Sequence, residues 1–382
     1  MVDGQQASAR EDAGGGAAGA AAMAARGLAP EPPRTAKVRH VHIDVAKAVG
    51  ISLMVLAHSW PVEVLLRHPV TTSTLGPAIP GFMAASGFLY AKSPTVANVR
   101  RRLFRLIAPY FFATLAVVVE QRRWTPGAGI SQSELSEYVT PASRAPLAED
   151  FLLGLTLPHY YYVFIIVLCV LLTPAFGRCS TRTLKALLVA FVLLHVASKA
   201  IVEAVLGMNV TWILRNPFDW VPYFLCGWLS PMWPAVPRWK PALALLVALP
   251  MQILLPYPVG MLLWMYAVVI CLPLLFPPGT RIPGVGDFLA WLSANSYTVF
   301  LFHSFFIEAS YTLLTHAGLK GALLYWSVWA STMSGCMLLA YVVLAVLGPD
   351  TGSMLFGVSP DPIEANGKKQ QGSEPAQAMA LP

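Results

Sequence analysis

Ten long apolar runs dominate the chain, at about 43–66, 75–91, 103–120, 156–176, 184–207, 217–234, 241–255, 257–277, 288–314 and 321–348, with short polar stretches between them. A helix needs about 20 residues to cross a hydrocarbon core of ~30 Å. All the runs suit that length except the second and seventh, which are short or interrupted by Pro and Gly. Only a helix or a closed barrel satisfies its own backbone polar groups in lipid. The pattern predicts an all-α membrane protein, a polytopic bundle of about ten transmembrane helices. Residues 1 to about 36 are rich in Ala, Gly and Pro and are expected to form a disordered cytoplasmic tail. Residues 37–349 would be one transmembrane domain, and 350–382, with GKKQQGSEPAQ, a flexible polar tail.

Composition agrees. Of the 382 residues, 56% are hydrophobic and only 12% charged, and the mean hydropathy is +0.60, whereas a soluble domain carries about 25% charge. The net charge of +7 does not form a basic patch for nucleic acid, because the Lys and Arg residues lie in short loops. With ten spans, eighteen of them fall on the side of the two tails and six on the other, namely Arg67, Arg122, Arg123, Arg144, Arg215 and Lys320. That bias orients both termini towards the cytoplasm. The five cysteines show no CxxC or CxxH spacing, and no HExxH, Walker A, GxGxxG or acidic metal motif occurs. No disulfide, metal centre or bound cofactor is expected.

Ionisable groups inside apolar helices are costly, and they concentrate function. The first run, HVHIDVAKAVGISLMVLAHSW, contains Asp44, Lys47 and His58. Asp44 and Lys47, three apart, share a face and can pair. Lys47 and His58, eleven apart, also share a face, about 16 Å apart along the axis. A cation at the water edge and an imidazole one arm's length inside would suit a phosphate-bearing donor with a long flexible arm. An imidazole can act as general base towards a hydroxyl. His58 and Asp44 are therefore the catalytic candidates, and Lys47 the anchor for an acyl-CoA donor. Arg102 and Arg105, one turn apart, open the third run and can offer guanidinium forks to phosphate on the same side. The ninth run, LSANSYTVFLFHSFFIEA, buries Asn295, Ser296, His303 and Ser304, and His303 sits at a depth similar to His58. His159 begins the fourth run next to three tyrosines, where an interfacial belt and a sugar-stacking site are both open readings. Ser86, in GFMAASGFLY, is a small-residue packing position first. His303, Ser296, His159 and Ser86 stand as acceptor-side or supporting candidates. His195 and Lys199 are a further buried pair.

These pieces resemble the acyltransferase-3 family of integral membrane O-acyltransferases: Ile43 to His58, the Ser86-Gly87-Phe88 segment, RRLFRLIAPYF with Arg102 and Arg105, YYYVFIIVLCVLLTP, and NSYTVFLFH ending at His303, in family order over residues 40–348. The resemblance implies transfer of an acyl group, most simply acetyl, from acyl-CoA to a hydroxyl of a glycan or of a glycosylated or polyketide metabolite. It makes His58 the catalytic residue and puts Arg102 and Arg105 on the CoA side. Where the family has an Arg eleven residues before that histidine, this chain has Lys47, a variant that resembles the polysaccharide O-acetyltransferase branch. Lysine keeps the charge and loses the bidentate fork. No SGNH-type hydrolase domain follows the last run, so the membrane domain is expected to select the acceptor or hand the group on. The expected location is a bacterial cytoplasmic membrane. A transporter or flippase, with Asp44, Lys47, His58 and His303 along its path, is the alternative, and a catalytically silent membrane subunit is another.

Overall fold

The computed structural model describes residues 40–61, 77–123, 157–201, 216–255, 259–277 and 280–359. The N-terminal tail expected over 1–36 and the last part of the C-terminal tail, 360–382, lie outside them. Among the described residues there are ten α-helices and no strand: α1 Val41–Ser59, α2 Ala78–Ala91, α3 Val96–Arg123, α4 Tyr161–Phe176, α5 Thr181–Ile201, α6 Val221–Leu229, α7 Trp239–Leu254, α8 Val259–Leu275, α9 Gly286–His316 and α10 Gly321–Phe356. Each falls on one of the ten apolar runs. Three helical stretches are long and apolar enough to cross a membrane by themselves, Val41–Ser59, Thr181–Ser198 and Gly321–Phe356, with shorter apolar helices at α2, α4 and α8.

The shortest helix is α6, not α2 or α7. Pro217 begins a short 3-10 turn, Pro222 stands in the first turn of α6, and a further 3-10 turn, Ser230–Met232, closes it. Proline fits the first turn, where its missing N–H has no intrahelical partner. All nine residues of α6 are buried. A helix walled in by protein has no lipid thickness to match, so nine residues suffice.

The centre of the bundle is built on α1, which packs against α2, α9 and α10, and on α2, which packs against α1 and α6. The α2–α6 crossing is backbone on backbone: a Cβ at Gly87 would sit 1.9 Å from the Phe224 carbonyl oxygen, and one at Gly227 would sit 1.8 Å from that of Ala84. Small residues permit this approach, and in lipid such close packing replaces the missing hydrophobic drive. Bonds from side chain to distant backbone fix the helices further. Trp329 of α10 donates to the Ser52 carbonyl at 3.0 Å, Tyr297 of α9 to Leu106 of α3 at 2.6 Å, and Tyr160 to Leu301 of α9 at 2.9 Å. On the outside, α5 and α10 present Val189, Leu193, Val196, Leu338, Val342 and Val346 as exposed apolar residues, a surface that lipid covers without cost.

The C-terminal tail expected from Asp350 begins as structure. Gly348 takes a positive φ of 74° and, with Pro349, kinks α10, and the helix resumes to Phe356. Val358 is fully buried against Ala340 and Val343, and the Ser359 N–H donates to the Asn295 side chain at 3.0 Å.

Candidate functional site

Two features of α1 organise the site. Lys47 lies three turns before His58 on one continuous helix, and a cavity of about 150 Å³ runs beside the stretch between them. Lys47 and Met54 form its α1 wall, Phe82, Ser86 and Tyr90 its α2 wall, Tyr162 its α4 wall, and Ser296, Tyr297 and Phe300 its α9 wall. Tyr297, Phe300 and His303 follow one another at helical spacing of three, so one stripe of α9 passes from the cavity to the second histidine.

At the C-terminal end of α1 three imidazoles meet. The ring of His58 lies 5.2 Å from that of His303 and 5.5 Å from that of His159, and the rings of His159 and His303 are 4.4 Å apart. One ring nitrogen from each of the three falls within 4.8 Å of the others. The cluster draws on the C-terminal end of α1, the middle of α9, and the 3-10 turn Pro158–Tyr160 that leads into α4. Phe300 packs on His159 with ring centroids 5.3 Å apart and also lines the cavity, so one side chain touches both the cluster and the open space. His159 and His303 are buried and His58 is exposed.

The protonation of His303 follows from its neighbours. Its Nδ1 sits 2.8 Å from the Phe300 carbonyl and 3.2 Å from that of Val299. A carbonyl oxygen only accepts, so Nδ1 carries the hydrogen and Nε2 holds a lone pair. The Nε2 atoms of His159 and His303 are both buried without a hydrogen-bond partner among the described residues. Such groups are rare in proteins and call for a chemical reason.

The cationic end is simpler. Asp44 is the electrostatic partner of Lys47. It lies fourteen residues from His58, about 21 Å along a helix rising 1.5 Å per residue, so Asp44 belongs to the Lys47 end of α1. Arg102 is half-buried and folds back onto the C-terminus of α2. It donates to Ser93 Oγ at 2.8 Å, reaches the Leu89 carbonyl at 3.4 Å, and sits 4.3 Å from the Tyr90 ring centroid. A cation there also complements the helix dipole. Arg105 is exposed. The two arginines are therefore unlike: one is engaged with α2 and one faces outward. Nearby, Lys92 and His40 are hydrogen-bonded, and burial, followed by the Lys92 charge, holds the His40 imidazole below its ordinary 6.5.

Ser86 lines the cavity and is hydrogen-bonded to the Tyr162 hydroxyl. Ser296 also lines it but spends its proton on the Ser293 carbonyl at 2.8 Å. The cavity walls Tyr162, Tyr297 and Phe300 were not singled out from the sequence, although the spacing of three on α9 carries the signal. His195 proves to belong to a separate network with Asp219 and Tyr266.

A family model described as "Acyltransferase domain" matches residues 40–345. Comparison with curated proteins and with solved structures finds no match. The match covers every helix that builds the cavity and the histidine cluster, and the chain belongs to the acyltransferase-3 family of membrane acyltransferases.

Proposed function

We propose that this protein transfers a short acyl group, most simply acetyl, from acyl-CoA to a hydroxyl of a glycan or of a glycosylated or polyketide metabolite. The observation that carries this reading is the alignment of Lys47, the cavity and His58 along one face of α1. The CoA phosphates lie at the Lys47 end, with Arg105 and the partly engaged Arg102 adding positive potential, and the pantetheine arm threads the cavity. At the other end His58 takes the proton of the acceptor hydroxyl. The oxygen attacks the thioester carbonyl, the C–S bond breaks, and the imidazolium returns the proton to the thiolate. His303 and His159 hold the His58 ring. The charge bias of the loops orients the Lys47 end towards the cytoplasm, where CoA is found, in a bundle of about ten spans with both termini inside.

The test is incubation of the purified full chain with acetyl-CoA labelled in the acetyl group, with free thiol and labelled acceptor as readouts. Thiol release that depends on acceptor supports the reading. Movement of a solute across vesicles without donor consumption would overturn it in favour of a transporter.

A further inference from the structure

Three imidazoles from three separate elements converge at the end of α1, and two of them carry buried nitrogens without a partner among the described residues. We propose that His58, His159 and His303 form a binding site for one divalent transition-metal ion of the zinc class. Zinc binds histidine nitrogen at about 2.0–2.1 Å, which puts tetrahedral ligand atoms about 3.3 Å apart. The nitrogens here lie within 4.8 Å of one another, so side-chain rotations that close the cluster by about 1.5 Å complete the site.

The tautomer of His303 is already that of a ligand. Its Nδ1–H donates to the Phe300 carbonyl at 2.8 Å, which leaves the Nε2 lone pair to the cluster. A metal-bound histidine commonly makes this outer hydrogen bond, because it fixes the ring and raises its basicity. The buried, unpartnered Nε2 of His159 is the second such lone pair. His58 is the exposed member, and it leaves the fourth position of a three-histidine site open. Three neutral imidazoles suit zinc, cobalt, nickel or copper, and offer no oxygen to magnesium or calcium. No local motif announces the site because its ligands are more than a hundred residues apart in sequence.

One consequence rests on the proposed acyl transfer. A lone pair given to a metal cannot take a proton, so an occupied site silences His58 as a base, and the ion acts as an inhibitor.

The experiment uses the purified full chain, stripped with chelator and titrated with Zn²⁺ or Co²⁺. Bound metal is counted by elemental analysis and the Co²⁺ geometry is read from its visible absorption. One ion per chain with a tetrahedral Co²⁺ spectrum is expected, with affinity lowered roughly ten- to hundredfold or more in both His303→Ala and His159→Ala. His303→Gln, which keeps polarity and bulk, serves as a second variant, and thermal melting confirms that each is folded. Absence of stoichiometric binding to the wild type, or unchanged affinity in a folded His303 variant, overturns the site. Zn²⁺ should stop acyl transfer and chelator should restore it, and faster transfer with the ion overturns the inhibitory role. Binding without any acyl transfer would refute the proposed function and leave the site standing, whereas transfer without binding would do the reverse.

Discussion

Two histidine environments in this bundle, one around His195 and one around His58, are built on opposite principles. Around His195 every need is met. Its Nδ1 pairs with the Tyr266 hydroxyl at 3.1 Å, and its Nε2 lies 3.9 Å from Asp219. Asp219 in turn accepts from Ser198 at 2.9 Å and from Asn216 at 3.2 Å. This network ties α5 to the 3-10 turn Pro217–Asp219 and to α8, and it encloses no cavity wall. Around His58, three imidazoles face one another, two of their nitrogens have no partner among the described residues, and the group adjoins a cavity through Phe300. A satisfied polar network stabilises and fixes a fold, while an unsatisfied one is kept for something that arrives. The first group therefore reads as structure and the second as chemistry.

The sharpest way to break that contrast is at His58 itself. His58→Ala should lower the turnover of labelled acetyl-CoA by about 10²- to 10⁴-fold, the usual range for loss of a general base, with little change in melting temperature because His58 is exposed. At the donor end, Lys47→Ala should raise the KM for acyl-CoA by roughly ten- to hundredfold, as expected for one charge-assisted contact, and Lys47→Arg should recover most of it. Initial rates over a range of donor concentrations separate these effects. The structural network should respond in the other currency. Asp219→Ala leaves buried donors unpaired and should cost about 1–3 kcal/mol of stability, seen as earlier thermal unfolding in detergent, while the protein that remains folded keeps its donor KM.

The smallest effect belongs to a third histidine environment, at the start of α1. His40 is held below 6.5 by burial and by Lys92, with Asp44 opposing. The folded state then binds fewer protons than the unfolded state, so this contribution is intact above pH 6.5 and is lost as the pH falls through and below that value. Melting curves between pH 7.5 and 5.5 should show a shallower pH slope in His40→Gln than in the wild type.

Much of this was legible in the sequence. Apolar run length located all ten helices, because a membrane helix must satisfy its backbone within one segment. Counting residues from the start of each helix set His58 and His303 at one depth, and their rings lie 5.2 Å apart. What could not be read depended on contacts between distant segments. His159 reaches the cluster because a 3-10 turn held by the bond from Tyr160 to Leu301 points it inward, and periodicity says nothing of such a turn. The brevity of α6 follows from its complete burial, which only the packed bundle reveals. Arg102 and Arg105 looked equivalent by spacing, and the position of Tyr90 and Ser93 made them different.

The claim that the His58 imidazole moves the acceptor's proton is tested most directly by chemical rescue. Transfer of labelled acetyl by purified His58→Ala would be measured with and without added imidazole, beside His195→Ala as a control. The account predicts near-complete loss in His58→Ala, partial recovery with imidazole, and no imidazole effect on His195→Ala. Wild-type turnover by His58→Ala in the absence of imidazole would contradict it.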